Sequence, residues 1–264
     1  MARPSSPPAA RATAIPRFAQ ERQREIAQTL RESGRVEVAA LAAHYDVSED
    51  TIRRDLRLLA SHGLVQKTHG GAVALHAAVI PAAERAGVRA QAKRAIAQAG
   101  AAHVRPHQTL FIDGGTTTHA LAQELRAAGA PRPLTVVTTS LDVATALLDD
   151  RQVHLVLAGG AWMPESRIFE GAQALATLRA HRADIAFLGA CALHRRMGIT
   201  ANEAGDMALK RAMIDGAAQR IVLSDASKLD AVAPHAVCAL AEIDRVISDA
   251  APAWLRKQVT VEVV

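Results

Sequence analysis

The stretch "TLFIDGGTTTHALAQEL" (Thr109–Leu125) changes period within seventeen residues. "TLFI" is a short apolar run closed by a turn signal, the pattern of a buried strand. Asp113, Gly114 and Gly115 break the run, and three threonines open an amphipathic helix. The same rhythm continues outward from this unit. "LTVVTTS", "VHLVLAGG", "IAFLGA", "RIVLSD", "RVISD" and "VTVEVV" read as strands, with helix-like segments such as "LDVATALL" and "GDMALKRAMIDGAAQ" between most of them. Alternating strand and helix predicts an α/β domain with a mostly parallel sheet. Its strands end repeatedly in Gly, Asp, Ser or Thr, and ligands of open parallel sheets sit at those carboxyl ends.

The strand-to-helix turn has the makings of an anion seat. Gly114 and Gly115 let the backbone approach closely and turn tightly. Thr116 and Thr117 offer hydroxyls and N–H groups where the helix dipole favours negative charge. Asp113 is a poor phosphate ligand and suits a sugar hydroxyl or a brace for the loop. A glycine pair alone is a weak signal, because ordinary tight turns use it. Two further loops share the pattern: "TTSLD", with Thr139 and Ser140, and "LAGG", with Gly159 and Gly160. Lys228 in "SDASK" follows a strand, where an ammonium can neutralise phosphate. Asp206 and Lys210 stand four apart on a helix, which fits a surface ion pair as well as a ligand role.

Bulk properties narrow the class. The chain has 264 residues, half of them apolar, so a sizeable core can form. Aromatics make up only 3%, which leaves that core to Ala, Val, Leu and Ile. Two cysteines are too few for a disulfide framework, no run reaches membrane-spanning length, and the first residues lack a secretory apolar stretch. These features predict a cytoplasmic protein with no membrane partner. Net charge is +5, and the first 75 residues carry 11 Lys/Arg against 8 Asp/Glu, a mild pointer to an acidic partner such as nucleic acid. Residues 1–17, rich in Pro and Ala, read as a disordered arm. A polar, alanine-rich joint gives a linker over 76–93 and leaves 94–264 to the α/β domain.

Residues 18–75 hold a different pattern. A polar helix carrying Ile26 and Leu30 is followed by a short extended piece, a second short helix and a "DV" turn. Ser48 then caps "EDTIRRDLRLLASH", and Gly63 ends it. Ile52, Leu56 and Leu59 form one stripe, with Arg53, Arg54 and Arg57 off it and Thr51 in the first turn. A helix held by one face and presenting arginines on another can enter a major groove. The preceding helix and tight turn complete a helix-turn-helix. "LVQKTHGGAV" forms two short strands, a wing bringing Lys67 and His69 near a flanking phosphate.

"VSEDTIRRDLRLLASHGLVQKTHGGAV" resembles the winged helix-turn-helix of the DeoR family of bacterial transcriptional regulators, and the resemblance continues through "FIDGGTTT", "VVTTSLDVA", "LAGG" and "LSDASKLD". It implies a repressor acting as a homo-oligomer, dimer or tetramer, on a double-stranded DNA operator. It also implies a C-terminal domain, similar in fold to ribose-5-phosphate isomerase, that senses a phosphorylated sugar or polyol. Thr51, Arg53, Arg54, Arg57, Lys67 and His69 are then the expected DNA contacts. Asp113, Gly114, Gly115, Thr116, Thr117, Thr139, Ser140, Gly159, Gly160, Asp206, Lys210 and Lys228 are the expected effector contacts. Asp55 is expected to orient neighbouring arginines. Two departures stand out: "TTS" replaces an asparagine-containing loop of many relatives, and "GACALHRRMGIT" lacks their "GID".

No cofactor or metal is expected. Cys191 near His194 lacks an orienting partner, Pro106 separates His103 from His107, and the other histidines share no ligand spacing. Two rival readings remain: a sugar-phosphate isomerase, for which a DNA-binding domain has no use, and an effector-independent DNA-binding protein, against which the several polar strand ends count.

Overall fold

The structure, a computed structural model, describes residues 19–33, 35–61, 65–68, 70–74, 87–127 and 129–264. The arm expected over 1–17, His69 and most of the expected linker lie outside them. The chain divides into two units, Met1–Ala74 and Leu75–Val264.

The first unit runs α1 (Ala19–Ser33), β1 (Arg35–Glu37), α2 (Val38–Tyr45), α3 (Glu49–Ser61), β2 (Val65–Thr68) and β3 (Gly71–Ala74). Ile26 and Leu30 of α1 meet Leu41 of α2 and Ile52, Leu56 and Leu59 of α3 in one buried cluster, which the small sheet closes with Val36, Val65 and Ala72. The strands pair antiparallel in the order β1-β3-β2. Gly71 is required there, because a Cβ on it would sit 1.9 Å from the Val36 carbonyl oxygen. Between α2 and α3, Asp46 takes the left-handed conformation (φ 51°), which a short polar side chain tolerates. Ser48 Oγ accepts from the Thr51 N–H at 3.2 Å and starts α3.

The second unit runs α4 (Ala90–Ala101), β4 (Thr109–Ile112), α5 (Thr116–Leu125), β5 (Leu134–Thr138), α6 (Leu141–Leu147), β6 (Val153–Leu157), β7 (Ala161–Met163), β8 (Ile168–Glu170), α7 (Ala172–Ala180), β9 (Ala183–Gly189), β10 (Ala192–His194), β11 (Gly198–Ala201), α8 (Ala204–Gly216), β12 (Ala217–Leu223), β13 (His235–Cys238), β14 (Arg245–Ser248), α9 (Ala253–Arg256) and β15 (Thr260–Val263). Seven strands form one sheet in the order β15-β14-β12-β9-β4-β5-β6, and every pairing in it is parallel. Alternate residues of each strand face opposite sides. Leu110 and Ile112 pack with Ile96 of α4, Leu121 and Leu125 of α5 and Leu147 of α6. Phe111, on the other face, packs with Leu178 of α7 and with Leu209 and Met213 of α8. Helices therefore cover both faces.

The strand order locates the site. From β4 the chain builds outward through β5 and β6, then returns to place β9 on the other side of β4. The β4–β9 junction is a topological switch point, and a crevice opens at the carboxyl ends of those two strands. Two smaller pieces stand outside the main sheet, the β7–β8 hairpin and the antiparallel sheet β10-β11-β13. Helix α4 starts at Ala90, inside the stretch that reads as a linker, because Ile96 and Ala97 are fully buried against the sheet.

Candidate functional site

Helix α3 separates its faces as its spacing predicts. Ile52, Leu56 and Leu59 are buried, while Arg53, Arg54 and Arg57 are exposed. The arginines are not equivalent. Arg53 is already paired on its own helix, with Nη2 donating to Glu49 Oε2 at 2.5 Å and Nη1 to Asp50 Oδ1 at 3.2 Å. Thr51 Oγ1 shares a 2.9 Å hydrogen bond with Ser48 Oγ. Asp55 is buried and does hold an arginine, but that arginine is Arg22 on α1. Arg22 Nε donates to Asp55 Oδ2 at 2.6 Å, and Gln23 Nε2 donates to Oδ1 at 2.7 Å. The carboxylate thus fastens α1 to α3. Lys67 lies on β2 opposite Ala72.

At the β4–β9 switch point a cavity of about 360 Å³ is lined by Gly114, Gly115, Thr116 and Thr117 together with Asp206, Lys210 and Lys228. Gly115 starts α5 at φ 135° and supplies no capping side chain. The N–H groups of that first turn are left for another acceptor. Gly114 is needed for a different reason: a Cβ on it would lie 2.3 Å from Ile168 Cγ2 of the β7–β8 hairpin.

Asp113 sits beneath this wall, fully enclosed, and braces the switch point. Its Oδ2 accepts from Gly189 N–H at 2.9 Å and from Lys210 Nζ at 2.6 Å, so β4, β9 and α8 meet at one oxygen. Lys210 Nζ also donates to Asp206 Oδ1 at 2.7 Å. Burial raises the Asp113 pKa to about 6 against the pull of Lys210. Burial also opposes the Lys210 charge, but Asp113 and Asp206 outweigh it and hold the ammonium above its usual pKa. The spacing of Asp206 and Lys210 suits an exposed pair; here Lys210 is buried at 3% exposure.

Thr139, Ser140, Gly159 and Gly160 do not line the cavity. Thr139, Ser140 and Gly160 fasten the hairpin that does, whereas a Cβ on Gly159 would meet nothing within 4 Å. Thr139 O accepts from Phe169 N–H at 2.8 Å, Ser140 bridges to Ile168, and a Cβ on Gly160 would strike the Glu170 carbonyl oxygen at 2.2 Å. Arg167 Nε adds a 2.7 Å bond to Asp142. The hairpin then presents Met163, Ile168 and Glu170 to the cavity. These loops act on the cavity at one remove.

Cys191 lines the cavity, and burial followed by the Asp206 charge pushes its thiol pKa up. His194 Nδ1 accepts from the backbone N–H groups of Arg196 and Met197 at 3.2 and 3.3 Å, and the Cys191 thiol donates to Asp206 Oδ2 at 3.7 Å. Among the described residues no group of three or more His, Cys, Asp or Glu side chains is placed to hold a metal ion.

Comparison with known proteins follows this division. Residues 22–78 match the DeoR-like helix-turn-helix domain, and residues 88–250 match the DeoR C terminal sensor domain. The chain belongs to the DeoR family. It is 31% identical to the HTH-type transcriptional regulator GolR of Listeria innocua, over 88% of this chain and 91% of that one. It is 30% identical to the glycerol-3-phosphate regulon repressor of Escherichia coli K12, over 88% and 91% of the two chains. Among solved structures, ribose 5-phosphate isomerase A of Methanocaldococcus jannaschii overlaps 52% of this chain and 53% of its own, at 18% identity and a TM-score of 0.38. As a DeoR-family member the chain is a DNA-binding transcriptional regulator. No helix among the described residues is long and apolar enough to cross a membrane.

Several cavity residues of this family member escape a reading of the sequence. Val88 and Lys93 line it from a stretch that reads as a joint, and Glu170 and Asp225 line it as well. Lys93 had one available signal, the apolar pair Ile96 and Ala97 just after it, which marks a packed helix. Glu170 had none, since a three-residue strand carries too little pattern.

Proposed function

We propose that this DeoR-family chain is a repressor, with no enzymatic role, that is released from its operator by a phosphorylated sugar or polyol. One observation carries the reading. An uncapped helix start, Gly115–Thr117, opens into a switch-point cavity in the same chain as a helix-turn-helix. The phosphate sits on the first-turn N–H groups and threonine hydroxyls, with Lys228 and Lys93 supplying charge. The relative named for a glycerol-3-phosphate regulon supports a small phosphorylated effector. Arg54, Arg57, Thr51 and Arg53 meet the operator, and a homo-oligomer supplies two or more such helices. The effector favours the state unable to hold DNA, and a coupling of about 1–3 kcal/mol gives a 5- to 150-fold response. Asp113 speaks against isomerisation, because it is 1% exposed, is not among the residues lining the cavity, and has its Oδ2 engaged by Gly189 and Lys210.

Fluorescence anisotropy on DNA upstream of the neighbouring genes tests the reading. Titration with phosphorylated sugars and polyols, and with their unphosphorylated counterparts, should identify a phosphorylated compound that lowers DNA affinity. Gly115→Asp puts a carboxylate at the seat and should leave DNA bound and unresponsive. A normal response from that variant rejects the seat. Turnover of any compound in the panel revives the isomerase, and DNA binding indifferent to the whole panel favours an effector-independent protein.

A further inference from the structure

The first described residues of the sensor unit, Gly87 to Lys93, form part of the cavity wall: Val88 and Lys93 both line it. Arg89 lies between them and caps α4 at φ 54° and ψ 37°, in the left-handed region that a non-glycine residue keeps only when it is held there. Two carboxylates hold it. Arg89 Nη2 donates to Asp249 Oδ2, and Arg89 Nε lies 3.5 Å from Asp225 Oδ1. Asp249 also accepts from Ala226 N–H at 2.7 Å. Asp225 accepts from Ser227 N–H at 2.9 Å and from Ser227 Oγ at 2.5 Å, which shapes the turn carrying Lys228. Asp225 therefore faces the cavity and belongs to the Arg89 clamp at once. The Arg89 carbonyl in turn accepts from Lys93 N–H at 3.0 Å and fixes the first turn of α4.

We infer that Arg89 is a positioning residue for the response to effector. It seats Val88 and Lys93 in the cavity wall, so that an anion at Gly114–Thr117 is registered at residues 87–93, through which the chain continues to the DNA-binding unit. The inference rests on the phosphate-seat reading. An incoming dianion attracts the Lys93 ammonium and repels the Asp225 carboxylate. Both groups are tied to the same helix start, one through the α4 backbone and the other through Arg89. Without Arg89 the seat keeps its glycines and its helix N-terminus, but the entry segment no longer follows the ligand.

Hydrogen–deuterium exchange on the full chain separates the two readings, with inorganic phosphate as the probe and chloride at matched ionic strength as the control. In the wild type, phosphate should slow exchange at residues 114–118 and at residues 88–95. Arg89→Gln should keep the first protection within about twofold and lose the second. Asp249→Asn, which retains an oxygen for the Ala226 N–H, should do the same and serves as the independent variant should Arg89→Gln fold poorly. Protection at 88–95 that survives in both variants overturns the inference. So does a wild type protected at 114–118 and unaffected at 88–95. A wild type unprotected at 114–118 overturns the seat itself, and this inference with it.

Discussion

Gly114→Ala tests how the cavity wall is built. The added Cβ would lie 2.3 Å from Ile168 Cγ2. Relaxed carbon contacts lie at about 3.5–4.0 Å, so the hairpin would have to retreat by about 1.5 Å. Three ties resist that movement: Phe169 N–H to Thr139 O at 2.8 Å, Leu141 N–H to Arg167 O at 3.1 Å, and Arg167 to Asp142 at 2.7 Å. Ile168 is 2% exposed, and its Cγ2 is fixed to Cβ, so turning it away from the added methyl would push the side chain into the cavity it lines. Overpacking of this kind costs about 1–3 kcal/mol. In a unit of this size each kcal/mol moves the midpoint by about 2–4 °C, so Tm should fall by about 2–12 °C. A double-mutant cycle with Ile168→Ala identifies the cause. That substitution removes Cγ2 and costs about 2–5 kcal/mol alone, and the double variant should be more stable than the sum of losses by at least about 1 kcal/mol. The response to effector should weaken as well, because Ile168, Met163 and Glu170 line the cavity. A Gly114→Ala variant within about 0.3 kcal/mol of wild type, or an additive cycle, refutes the packing argument.

Three other perturbations probe different parts of the molecule. Asp55→Ala removes the carboxylate to which Arg22 Nε and Gln23 Nε2 donate and should destabilise the first unit by about 1.5–3 kcal/mol in urea denaturation; a loss below about 0.5 kcal/mol rejects Asp55 as the tie between α1 and α3. Arg54→Ala and Arg57→Ala should each lower the slope of log affinity against log salt by about 0.9, whereas Arg53→Ala should change it less, because Arg53 already pairs with Glu49 and Asp50. Equal slope changes for all three arginines would break that ranking. Asp113 has a folded pKa of about 6 against an ordinary value of 3.8, so its contribution to stability is complete at low pH and is lost as pH rises through 6. The stability of wild type relative to Asp113→Asn should therefore fall between about pH 4 and pH 7, and a flat or rising difference in thermal denaturation contradicts burial as the governing cause.

What could be read in the sequence was local. Ile52, Leu56 and Leu59 mark one face of α3 because helical period is a property of a dozen adjacent residues. The strand–turn–helix at Thr109–Leu125 declares itself in the same way. Relations between distant residues do not. Asp55 and Arg22 are 33 positions apart, Asp113 and Lys210 are 97 apart, and Arg89 and Asp249 are 160 apart. Each pair exists only because packing brings two elements together. The order of strands around β4 is equally non-local, although it decides which loops border the cavity. The loops at Thr139–Ser140 and Gly159–Gly160 were visible as polar, glycine-bearing strand ends. Their work is to anchor the β7–β8 hairpin, whose strands of three residues each are too short to show a period.

The two glycines of "IDGGTTT" answer to different demands. Gly114 is small because Ile168 presses on its α-carbon, while Gly115 has room for a Cβ, whose nearest neighbour would be Thr118 Oγ1 at 3.5 Å. What Gly115 supplies is a φ of 135°, which other residues rarely adopt and which turns the chain into α5 without a capping side chain. The first glycine lets the hairpin close over the strand end, and the second leaves the helix start open beneath it. A bare strand-to-helix turn needs only the second. A pair placed where a separate hairpin comes down on the turn closes a wall over a helix start that has no capping side chain, and in the proposed seat that enclosure would strengthen each bond to an anion. The doubling therefore reports the cavity as much as the turn. It distinguishes a helix start walled by a hairpin from one that merely faces solvent.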